Sequence, residues 1–229
     1  TVSSSLRHAN IEEQMRKAPP NTVLVMPEWQ TKPGSTVNSM GGLDNRGAFD
    51  AMINQALQRT PGLSGKGLSD VKDVTMIGHS AGGYATNLML GNNEIGKKVK
   101  DLVLIDTVGQ SATTNWIGSH LKDFANGDKH LTNVSASYMG NSRKQAENVQ
   151  DMLKAAKLPE STMAKDFKNG KALDPAQLNK HSMVFNYSNE LTPGRGGPHG
   201  SMPSIYIGRA LEAQKLRGER AKDAPAPAQ

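Results

Sequence analysis

With 229 residues the chain is long enough for one domain with a sizeable buried core. A mean hydropathy of −0.55 and the lack of any apolar run of spanning length predict no transmembrane segment, and the absence of cysteine excludes disulfides, thiolate metal sites and a thiol nucleophile together. The net charge of +6 would suit an anionic partner, but the lysines and arginines are scattered and aromatics make up only 4%, so a solvated basic surface is expected rather than a nucleic-acid site.

Residues 4–17 read as a helix, closed by Ala18-Pro19-Pro20 because consecutive prolines cannot continue it. Residues 22–26 form a short apolar run with branched side chains, the pattern of a strand buried on both faces. A loop rich in glycine, serine and proline follows over 27–42. Residues 48–59 are helical, with Phe49, Met52, Ile53, Ala56 and Leu57 recurring on one face. Gly65-Lys66-Gly67 lacks the spacing of a phosphate-binding loop and reads as a turn. Then come a strand at 74–77, a helix over 84–90, a buried strand at 102–105 ending in Asp106, a helix around 116–124 and a weaker strand at 134–139. Residues 145–157 are helical, and a polar, lysine-rich stretch over 158–180 reads as an insertion or lid. A last strand at 182–187, a glycine-proline loop over 190–201 and a helix over 203–220 with proline in its first turn complete the domain. Strands alternating with helices predict an α/β fold with a mainly parallel sheet over residues 1–221, followed by a disordered alanine-proline tail over 222–229.

Between the strand at 74–77 and its helix stands Gly78-His79-Ser80-Ala81-Gly82. A strand running through a sharp turn into a helix lifts one hydroxyl clear of the sheet, and small neighbours leave room for a strained backbone and for substrate. A dinucleotide fingerprint would need glycine where Ser80 stands. Ser80 is therefore the candidate nucleophile. A serine hydroxyl needs a histidine to take its proton and a carboxylate to hold that imidazole in the right tautomer. In open α/β sheets such groups gather beyond the carboxyl ends of the strands.

Of six histidines, His8 falls on the first helix, His120 and His130 lie around the helix and loop after Asp106, and His181 enters the last strand at its amino end. His79 adjoins Ser80 and should point to the other side of the strand, because neighbours alternate faces. Only His199 lies beyond the carboxyl end of the last strand, and it is the candidate base. Asp106 ends a buried strand at the same edge and is the candidate acid, with Glu190 and Glu28 as lesser candidates. Trp29 and Trp116 follow strand ends and, with His79, are the candidate substrate-binding residues.

The elbow, the order Ser80, Asp106, His199 and the surrounding strand-helix alternation resemble the α/β-hydrolase superfamily of serine esterases and lipases over nearly the whole chain. The resemblance implies a three-layer fold around a mainly parallel sheet, a Ser-His-Asp triad, an acyl-enzyme intermediate and an oxyanion donor at the backbone N–H of Ala81. Many members place the acid after the next strand, where this chain reads Gly140-Asn141-Ser142; Asp106 matches the minority, some lipases among them, that use the earlier strand. In the family a strand and an oxyanion loop precede the first helix, whereas here that helix begins almost at Thr1. The domain is accordingly expected to lack those N-terminal strands, with the second donor upstream of the chain, on another segment or in the 27–42 loop.

These readings predict a serine hydrolase acting on a small or polymer-linked ester, with no metal or organic cofactor and no nucleic-acid partner. An amidase or peptidase would use the same triad. A non-catalytic hydrolase-like binding domain would keep the elbow without an activated serine. Compartment and oligomeric state stay open.

Overall fold

The computed structural model describes residues 10–27, 45–92, 94–107, 111–137, 141–192 and 197–223. Helices and strands alternate along most of the chain. A short helix α1 (Ile11–Met15) and the helix α2 (Ala48–Arg59) precede the first strand, β1 (Val74–His79), which leads into α3 (Gly82–Asn92). Strand β2 (Val99–Ile105) is followed by α4 (Ser111–Ser119) and α5 (Leu121–Ala125), and β3 (His130–Ser135) by α6 (Asn141–Ala155). The rest comprises β4 (Met163–Asp166), the one-turn α7 (Pro175–Leu178), β5 (Met183–Tyr187) and the long α8 (Pro198–Asp223).

The five strands among the described residues are all parallel, in the order β1-β2-β3-β5-β4. The chain is therefore α/β, as its alternation predicts. Strand β2 shows why helices cover both faces. Leu102 and Leu104 pack with Trp116, Ile117, Phe124, Val149 and Leu153 from α4, α5 and α6. Val103 and Ile105 point the other way, against Met202, Tyr206 and Ala210 of α8. Alternate residues of one strand thus feed two cores. Among the described residues no helix is long and apolar enough to cross a membrane.

Four expectations are corrected. Residues 22–26 form no strand: they run as irregular chain, with Val23, Leu24 and Met26 each 38–42% exposed. An apolar run becomes a strand only where a ladder partner accepts its backbone groups, and among the described strands β1 pairs with β2 alone. The stretch over 158–180 is no excursion from the domain, because it contributes β4, the edge strand beside β5. Four strand spacings, about 19 Å, separate β4 from β1, the strand that leads into the elbow. The third strand lies at His130–Ser135, four residues before its expected start, which makes His130 a strand residue. Finally, α8 begins at Pro198 and places His199 in a helical first turn instead of a loop. Proline at the first helical position is favoured because its missing N–H is one the helix leaves unpaired anyway.

Candidate active site

Strand β1 passes into α3 through a left-handed residue: Ser80 has φ +53°. A non-glycine residue in that region costs about 1–2 kcal/mol, and here the surroundings enforce it. Ser80 N–H donates to Ile105 O at 3.0 Å, extending the parallel ladder past the end of β1. Immediately beyond, Gly83 N–H and Tyr84 N–H donate to Ser80 O and Ala81 O and start the helix. Gly78 makes the turn tight. A Cβ there would stand 2.5 Å from Thr86 Oγ1, so helix and strand approach as closely as they do only because position 78 carries no side chain. Gly82, at the other end of the motif, has open space where a Cβ would go. The Ala81 N–H stands ahead of the first intrahelical bonds, where backbone donors have no partner within the helix.

Because His79 is paired in register with Ile105, the next residues, Ser80 and Asp106, leave adjacent strands side by side. Asp106 is also left-handed, with φ +47°, and its N–H donates to Val134 O at 2.8 Å. Its carboxylate is held from two sides. Oδ1 accepts from the Ser135 hydroxyl and the Ala136 N–H, both at 3.2 Å. Oδ2 lies 2.5 Å from His199 Nδ1. A carboxylate can only accept, so His199 carries its proton on Nδ1, and Nε2 keeps the lone pair of a base. The His199 side chain is 50% exposed and that of Asp106 23%, so the pair opens to solvent on the imidazole side.

Among the described residues no hydrogen bond links the Ser80 hydroxyl to His199. His79, the residue before Ser80, packs its ring against that of His199, with the centroids 4.6 Å apart. Burial first, and the neighbouring His199 second, hold the His79 pKa below its ordinary value.

The other candidates separate clearly. Glu190 uses its carboxylate to accept Ala172 N–H at 2.9 Å and so ties down the loop before α7. His181 Nδ1 bonds Ser161 O, His120 Nδ1 bonds Trp116 O, and His130 opens β3 at its amino end. Trp116 is not placed to meet substrate. It is 6% exposed, its indole N–H donates to Gly96 O, and Lys129 Nζ sits 5.2 Å over its ring. Lys129 in turn donates to Val99 O at the start of β2, about 20 Å of strand rise from the elbow. Trp29, Glu28 and His8, with most of the 27–42 loop, lie outside the described residues.

Sequence reasoning missed Ser135. The strand-end rule that selects Asp106 would also have selected Ser135, had β3 been placed four residues earlier. Among the described residues no group of three or more histidine or acidic side chains is arranged to hold a metal ion. No family model, no curated protein and no solved structure matches this chain.

Proposed function

We propose that the chain is a serine hydrolase with an α/β-hydrolase-like fold, cleaving an ester through an acyl-enzyme. One observation carries the reading. A 2.5 Å hydrogen bond joins Asp106 to His199 across 93 residues of sequence, beside a serine whose backbone is held left-handed at a strand-to-helix turn. In this mechanism the Ser80 oxygen attacks the acyl carbon while His199 Nε2 takes its proton. The Ala81 N–H donates to the carbonyl oxygen as it becomes an oxyanion. Collapse expels the alcohol, which takes the proton from His199, and water then enters by the same route in reverse to free the acid and restore Ser80. Asp106 stays ionised throughout and stabilises the imidazolium. The mechanism requires the Ser80 hydroxyl to come within hydrogen-bond reach of His199 Nε2 as the acyl group binds.

The test is covalent labelling with a fluorophosphonate, which needs an activated serine. Mass spectrometry should place the adduct on the peptide containing Ser80, and Ser80→Ala should abolish it. Labelling at another serine would overturn the assignment, and no labelling at all would favour a binding domain of hydrolase-like fold. An amide substrate remains open to the same machinery, and parallel assays with ester and anilide acyl donors separate the two.

A further inference from the structure

His199 occupies the first turn of α8, so its carbonyl is due the amide N–H of the residue four positions later. That residue is Pro203, which has no N–H and whose ring crowds the same carbonyl. The carbonyl does not go unpaired. His79 Nε2 lies 3.2 Å from His199 O, and because a carbonyl only accepts, His79 carries its proton on Nε2. The two rings pack at 34° to one another, so His79 touches both the backbone and the imidazole of His199. Ser80, directly after His79, is the left-handed residue of the elbow.

We propose that His79 is a positioning residue for the general base: Pro203 leaves the His199 carbonyl without its helical donor, and His79 captures that carbonyl from the nucleophile's own strand. The first turn of α8 is thereby held at the angle where His199 Nδ1 meets Asp106. The inference rests on the Ser80, His199, Asp106 reading and gives His79 an orienting role in place of the substrate contact expected from its sequence position. Among the described residues the titratable groups that act on His79 are His199 and Asp106. The residue therefore belongs electrostatically to the pair it orients.

Two measurements test this. The first is the rate of fluorophosphonate labelling at Ser80 in the wild type, His79→Leu and His79→Gln. A glutamine amide N–H reaches close to the position of imidazole Nε2–H, whereas leucine offers no donor. Labelling should slow by about 10- to 100-fold in His79→Leu, the scale of a small misplacement of a reacting group, and His79→Gln should recover most of it. Equal slowing in both variants, or none in either, overturns the proposal. The second needs no reactivity: a double-mutant cycle of His79→Leu with Pro203→Ala in urea unfolding. Pro203→Ala restores the helical N–H, so the effect of His79→Leu on the unfolding constant should shrink by about tenfold in that background. Additive effects overturn the proposal whether or not Ser80 reacts. Coupling in the cycle without labelling of the wild type would count against the serine hydrolase reading alone.

Discussion

Asp101 and His130 are register partners toward the amino ends of β2 and β3, at the end of the sheet opposite the candidate triad. Burial pushes both toward their neutral forms. The Asp101 carboxylate, ion-paired with the Arg217 guanidinium near the far end of α8, is raised by burial to about 6 against the pull of that arginine. His130, whose Nδ1 has no hydrogen-bond partner among the described residues, is lowered to about 4 by burial, with Arg217 and Lys100 adding to the shift and a backbone hydrogen bond at Gly127 opposing it.

The two groups therefore give opposite slopes of stability against pH. His130 ordinarily titrates at 6.5, so between about 6.5 and 4 the unfolded chain binds a proton that the folded one refuses. Its contribution is full above that window and is lost as pH falls through it. Asp101, ordinarily at 3.8, takes its proton first in the folded state, so its contribution grows as pH falls from about 6 to 4. Removing His130 should leave the second slope alone. We expect the stability of His130→Leu relative to wild type, from urea unfolding, to improve by up to about 2 kcal/mol between pH 7 and pH 5. A difference that is constant with pH would refute the burial argument for His130.

At the carboxyl end of the strands, Asp106→Asn should reduce ester turnover by roughly 10⁴, because an amide facing His199 Nδ1 favours the wrong tautomer. Thermal unfolding should show the fold retained. Ser135→Ala removes one of the two donors on Oδ1, and a loss of about tenfold is expected, in line with a single hydrogen bond to a charged group. Glu190→Gln should leave turnover near wild type, since its carboxylate serves the Ala172 backbone. A crippled Glu190→Gln with a silent Asp106→Asn would reverse the assignment of the acid.

The two outer glycines of the elbow should respond differently to alanine. Gly78→Ala places a methyl 2.5 Å from Thr86 Oγ1 and 3.4 Å from Gly82 O, so overpacking of about 1–3 kcal/mol is expected. Adding Thr86→Ala should restore most of the lost melting temperature. Gly82→Ala meets no atom of the described residues within 4 Å and should cost little. Equal losses at both positions would mean that the motif's symmetry, and not the approach of α3 to β1, governs the site.

Much of this protein is determined by local pattern. The apolar runs of β1, β2 and β5, the amphipathic α2 and the glycine-flanked Ser80 each announce themselves within a dozen residues, because strand burial and turn chemistry are short-range demands. The order Ser80, Asp106, His199, with each group near a strand's carboxyl end, singles out in the sequence the two side chains that the structure joins by a hydrogen bond. The tertiary structure decided what depends on partners remote in sequence. Residues 22–26 carry a strand's side chains without a strand's neighbour among the described residues, and Trp116 follows a strand in sequence yet packs near the amino ends of the strands. Ser135 and His79 acquire their roles only when β3 and α8 arrive beside Asp106 and His199. A hydrogen bond spanning 120 residues, such as that from His79 to the His199 carbonyl, leaves no periodic trace in the sequence; its one local sign is Pro203, which withholds the donor that His79 supplies.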